Sequence, residues 1–181
     1  MRTLKFLSVV ILGIGLTACN SEQSLQEYYV VNQSNKDFVA IDIPASMLTN
    51  MGALDETQRR TLETVKKVNV LAIPKKVENI EKIKTEKLNI ANILKDEKYQ
   101  LLMRFGGGDT RVEIYFTGED EAVDEIILYG FNENQGMGLA RVLGEDMNPG
   151  DILALVKSME KGDIDLSGFS GLNQLFAERV Q

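Results

Sequence analysis

Two periods of apolar residues alternate along this chain, and they divide it into strands and helices. Asp37-Phe-Val-Ala-Ile-Asp-Ile43 is rich in β-branched and aromatic residues and predicts a strand that Pro44 ends. Pro44 also suits the first turn of a short helix over Ala45 to Met51, with Gly52 as its stop. From Asp55 to Val68 the apolar residues Leu54, Leu62, Val65 and Val68 lie near helical spacing, and Glu63–Lys67 is an i,i+4 pair. Asn69-Val-Leu-Ala-Ile73 predicts a second strand, closed by Pro74. Val77 to Lys95 gives the clearest helical pattern, with Val77, Ile80, Ile83, Leu88, Ala91 and Leu94 as its apolar stripe. Its lysines and glutamates alternate in sign, which marks a solvated face and not a nucleic-acid patch.

Tyr99 to Arg104 fits a helical turn or the start of a strand equally well. After Gly106-Gly-Gly-Asp109 three strands are expected. Arg111 to Thr117 alternates Val112, Ile114 and Phe116 with Glu113, Tyr115 and Thr117, the pattern of a half-buried strand. Val123 to Phe131 is apolar at both alternating sets and predicts a central strand. Gly138 to Leu143 is the third, and short polar links suggest an antiparallel meander. Asn148 as N-cap, Pro149 at the first helical position and Asp151 open a helix to about Glu160, with Ile152, Leu155, Val156 and Met159 facing inward. The order predicts an α+β fold: a mainly antiparallel sheet of about five strands with helices packed on one face.

The chain's two ends read differently from its middle. Met1 to Lys5 carries Arg2 and Lys5, and an apolar run from Phe6 to Leu16 follows. This is a secretory signal pattern, and the run is shorter than the ~20 residues that a membrane span needs. Leu16-Thr17-Ala18-Cys19 reads as a lipobox, so Cys19 is the expected site of lipidation. A diacylglyceryl cysteine with an acylated amine is a lasting anchor, since two or more chains hold where one does not. Asn20 after Cys19 leans toward the outer membrane. The organisation expected is a signal peptide over 1–18, an acylated N-terminus and tether over 19–35, an α+β domain over 36–160 and a tail over 161–181. Within the tether, Leu25 to Val31 admits a short helix, and in the tail Leu172 to Val180 admits another.

Charge and composition narrow the chemistry. Loss of Arg2 and Lys5 takes the formal charge from −7 to −9, which argues against nucleic-acid partners and against broad adhesion to anionic lipid. The charge is uneven: 36–104 has thirteen basic and ten acidic residues, and 117–165 has three basic against twelve acidic. The chain has no histidine and no tryptophan, and Cys19 is its one cysteine. Catalysis by Ser-His-Asp or Cys-His sets and histidine or thiolate metal sites are therefore excluded, and no cofactor is expected.

Several motifs invite a functional reading, each with a plainer one beside it. Gly106-Gly107-Gly108 lacks the Lys-Ser/Thr of a phosphate loop and precedes a strand, so it reads as a turn. Gly136-Met137-Gly138 reads as a hairpin entry. Asp163, Asp165, Ser167 and Gly168 match the front half of a calcium loop, but Gln174 stands where its bidentate glutamate belongs. A solvated turn is the competing reading. Glu119, Asp120, Glu121, Asp124 and Glu125 form an acidic group, either a paired acid and base or simply wet. Arg104 and Arg141 either bind an anion or pair with local acids. Phe169, Leu172, Phe176 and Val180 make an apolar stripe that either docks on bare sheet or enters a partner's groove.

The chain also resembles a family of uncharacterised bacterial lipoproteins, a domain of unknown function. The residues that carry the likeness are Phe38-Val-Ala-Ile-Asp-Ile43 with Met47-Leu48, Tyr99-Gln-Leu-Leu-Met-Arg104, Val112-Glu-Ile-Tyr-Phe116, Glu125-Ile-Ile-Leu-Tyr129 and Leu143-Gly144 leading into Asp151-Ile152. The resemblance spans about Leu25 to Met159 and implies an envelope lipoprotein, periplasmic or surface-facing, without an assigned activity. Three functions follow as expectations. The first is a non-enzymatic accessory module that contacts an envelope protein while the lipid on Cys19 holds it to a membrane. The second is a small-ligand or lipid-binding module with an apolar pocket between sheet and helices. The third is an enzyme that works through carboxylates alone, such as a glycan hydrolase.

Overall fold

A computed structural model describes residues 23–48 and 54–160. Cys19, the stripe from Phe169 to Val180 and the Asp163, Asp165 and Ser167 group lie outside them. The architecture is α+β, built on one six-stranded, wholly antiparallel sheet. In chain order the elements are helix α1 (Leu25–Asn32), strand β1 (Val39–Pro44), helices α2 (Ala45–Leu48) and α3 (Glu56–Glu63), strand β2 (Val65–Pro74), a 3-10 turn (Val77–Asn79) and helix α4 (Ile80–Ile93). Strands β3 (Gln100–Gly107), β4 (Thr110–Glu119), β5 (Ala122–Asn132) and β6 (Gly136–Met147) follow, then helix α5 (Pro149–Glu160). The order across the sheet is β1-β2-β6-β5-β4-β3. The last four strands form a meander, and β6 inserts beside β2, so α4 carries the chain from β2 to the far edge, where β3 lies.

Six strands form where about five were expected, because Tyr99 to Arg104 resolves into β3, continued to Gly107. The helix expected over Asp55 to Val68 stops at Glu63, and β2 begins at Val65. The β-branched Val65, Val68 and Val70 side chains gain more on the pleated sheet than in a helix, where their rotamers are restricted. Val65 is buried while Lys66 and Lys67 face solvent.

The sheet is covered on both faces, not one. Period-two alternation assigns the sides. On one face Leu71, Ile73, Tyr115, Ile127, Tyr129, Met137 and Leu139 pack with α1 and α4 through Leu25, Tyr28, Tyr29, Ile83, Ile90 and Ile93. On the other, Ile114, Phe116, Val123, Ile126 and Met147 pack with α2, α3 and α5 through Leu48, Leu62, Ile152 and Leu155. We call these the α1/α4 face and the α3/α5 face. The expectation of helices on one face fails because Glu113 and Tyr115 are buried, although β4 alternates as a half-buried strand does. Strand β5, apolar on both sides, is interior as its pattern predicts.

In α4 the contact stripe is Ile83, Ile90, Ile93 and Leu94. Val77, Ile80, Leu88 and Ala91, expected on the stripe, are exposed instead. Leu88 is five residues past Ile83, which turns it about 140° away at 100° per residue.

The stretch read as tether contains a docked helix. Ser24 caps α1 in a capping box with Glu27, and Leu25 and Tyr28 are fully buried. The backbone N–H of Leu25 donates to the Tyr99 hydroxyl at 3.1 Å, which ties the start of the domain to the start of β3. Replacing Leu25 with Ala should therefore cost about 2–5 kcal/mol in urea unfolding. A tether residue would show no change.

Candidate functional site

Two polar clusters lie on the α1/α4 face. Asp42, Asn69 and Arg141 stand side by side on β1, β2 and β6 through their register. Asn69 donates to Asp42, and Tyr29 of α1 donates its hydroxyl to the same carboxylate at 2.7 Å. Arg141 pairs with Glu125 of β5 and donates from Nη1 to Oε1 of Gln26 in α1 at 2.7 Å. Arg141 and Glu125 have side-chain exposures of only 4% and 13%. Breaking such a pair from one side leaves an uncompensated buried charge, at about 3–5 kcal/mol. The network holds α1 onto the sheet.

The second cluster centres on Glu113 of β4, whose side chain is 7% exposed. Arg104 Nε and Arg111 Nε donate to its Oε1 at 2.6 and 2.7 Å, and the Tyr115 hydroxyl donates to Oε2 at 2.8 Å. Burial opposes the charge on Glu113, but the bonds from Tyr115, Arg111 and Arg104 outweigh it and hold the carboxyl below its ordinary value. Burial, then the bond to Glu113, pushes the Tyr115 phenol up. The neighbouring Tyr129 phenol is pushed up to about 12, mostly by burial. A carboxylate already engaged by three donors is a poor general base, because abstracting a proton would break those bonds.

These clusters decide the two arginines raised by the sequence: each pairs with an acid of the sheet. They also divide the acidic group. Glu119 ends β4, Asp120 and Glu121 form the β4–β5 turn and Asp124 is exposed, but Glu125 turns inward to Arg141. Gly106 and Gly108 take positive φ in the β3–β4 hairpin, the turn expected of that glycine run. Gly136 sits at φ +113° where β6 begins, and a Cβ there would lie 2.1 Å from the Ile73 carbonyl oxygen. That approach explains a glycine at the hairpin entry.

Strand β3 is exposed for contact along its whole length. Every residue of this edge strand is exposed, including Leu101, Leu102, Met103 and Phe105. It contains neither proline nor lysine, two common guards of open edges. Its one irregularity is a register shift between Leu101 and Met103. The opposite edge, β1, is shorter, ends in Pro44 and carries Asp42 tied to α1. Sequence reasoning missed the β3 edge, because Leu101-Leu-Met103 looks like core until its position in the sheet is known.

Two cavities among the described residues border the sheet. One, of about 380 Å³, is an open trough on the α3/α5 face between the ends of β2, β6, β5 and β4. The other, of about 280 Å³, lies between α4 and the sheet and is lined by Ile80, Ile83, Lys84, Lys87 and Phe131. The Lys87 ammonium stands 3.2 Å from the centre of the Phe131 ring, a cation–π contact at the cavity wall.

A family model described as Domain of unknown function (DUF4252) matches residues 28–155. The chain belongs to this family. The match begins inside α1 and ends inside α5, so the family's unit takes in both helix layers and the whole sheet. No curated protein and no solved structure matches the chain.

The Glu113 cluster gives a pH dependence. A carboxyl held below its ordinary value of 4.5 adds stability above that pH and loses it as pH falls through the lowered value. Glu113→Gln should destabilise the domain at pH 7 and flatten its loss of stability below 4.5. Urea midpoints measured across pH that run parallel in the two proteins would contradict this.

Proposed function

We propose that this protein is a lipid-anchored envelope protein that works by non-enzymatic contact with another protein, through the open edge of β3. The observation that carries the reading is that edge: an eight-residue strand with no sheet partner on its outer side among the described residues, flanked by four exposed apolar side chains. An extended segment that adds itself as a seventh strand would pair those groups, and the apolar side chains would give it specificity. The ionisable residues nearest the edge support contact over chemistry, since Arg104, Arg111 and Glu113 are spent on one another.

Attachment fits the same reading. Acylation of Cys19, with sorting to the outer membrane, leaves four residues before the Ser24 cap, a reach of about 17 Å at full extension. The bond from Leu25 to Tyr99 then keeps the start of β3 near the anchored end of the domain. The partner is an envelope protein with a free extended segment.

Two variants test this in intact cells. Cys19→Ser should release a folded domain into the soluble fraction. A photo-crosslinking residue at Leu101 should give one discrete protein adduct that a residue at Leu88 on α4 does not give. Adducts to lipid alone from Leu101 would overturn the contact reading, and a Cys19→Ser protein that stays with the membrane would overturn the anchor.

A further inference from the structure

The α3/α5 face grades from large residues to small ones, and no described helix covers its small end. The cross-strand register defines three rows on that face. Ile43, Val68, Val142, Ile126 and Phe116 form the first, and it lies under the packed helices. Leu128 and Ile114 stand in the second, beside exposed Met103. The third runs Ala72, Gly138, Gly130, Val112 and Phe105, and its first four residues floor the 380 Å³ trough. A Cβ added at Gly130 or Gly138 would meet nothing within 4 Å, so the space above them is open. Glycines inside a strand often mark where another backbone comes close. Phe105, 53% exposed, and Met103, 40% exposed, form an apolar wall at one end of this floor.

We propose that the trough is the seat of the chain's own C-terminal segment, Phe169 to Val180. Three observations select this occupant. Helix α5 lies on the same face and ends at Glu160, so the 21 residues that follow start on the correct side of the sheet. Phe169, Leu172, Phe176 and Val180 are spaced to share one helical face, and two of them are large aromatics suited to a floor that lacks side chains. The length suffices: twelve helical residues span about 18 Å, and the three gaps between the trough's four strands span about 14 Å, so the segment covers the trough and reaches the β3 side chains at its end. The eight residues 161–168, two of them glycine, reach up to about 28 Å and do not restrict the docking. The docked segment covers side chains on the face and leaves the in-plane backbone groups of β3 free. It takes Met103 and Phe105 from the apolar side chains of that edge and leaves Leu101 and Leu102, with the backbone groups, to the partner reading.

The test is crosslinking in the purified Cys19→Ser protein, which has no other thiol. Met103→Cys with Asn173→Cys places one thiol beside the trough and one on the flank of the stripe. Leu88→Cys with Asn173→Cys is the control, on the opposite face. A short bis-maleimide should join the first pair within one chain, at a yield independent of protein concentration and about ten-fold above the control, as an effective concentration near millimolar requires. Adding Phe176→Asp should abolish the link while the domain still unfolds in one cooperative urea transition. Links formed only between chains would give the trough to a second copy, and equal yields for the two pairs, or none, would free the segment from it. Either result overturns the proposal, as does a co-purified small molecule in the trough.

Discussion

The constraint on which the structure depends is that the middle of its sheet is apolar on both sides. Ile126 and Ile127 are adjacent on β5, point to opposite faces, and are both fully buried. A strand of this kind is stable only between two layers. The chain meets the requirement with α1 and α4 on one face and α2, α3 and α5 on the other. The entry helix α1 is part of that cover, and so Leu25 is core and not linker.

Cover is thinnest away from the middle. At the β3 edge the side chains stay apolar although no described helix packs on them. At the trough the sheet offers glycines. These two features are neighbours, since Phe105 ends the row that the glycines floor. The polar clusters on the α1/α4 face show the contrasting treatment: charged groups brought inside are matched donor to acceptor, with Arg141 on Glu125 and three donors on Glu113. Such groups are committed to holding elements together, and the surfaces left for recognition are the bare apolar ones.

Local pattern was a good guide where an element's environment could be inferred from its own residues. Strand β5, the Asn148 cap of α5, which accepts from the backbone N–H groups of Gly150 and Asp151, and the turns at Gly106 and Gly136 were legible in this way. It failed where a neighbour decides. Val65 and Val68 sit at helical spacing, but pairing with β6 makes them strand. Glu113 and Tyr115 alternate like a wet face, yet Arg104 and Arg111 from the strand and its partner neutralise the carboxylate and allow its burial. The β3 edge was the least legible, because exposure at the end of a sheet is a property of strand order and leaves no mark in the strand's own residues.

Hydrogen exchange of the purified monomer tests the central claim, that β3 is an open edge on a firmly covered sheet. The outward amides of β3 should exchange within seconds at neutral pH, while those of β5 exchange only through global unfolding. Protection of β3 equal to that of β5 in the isolated monomer would show that the edge is already closed, and would contradict the account.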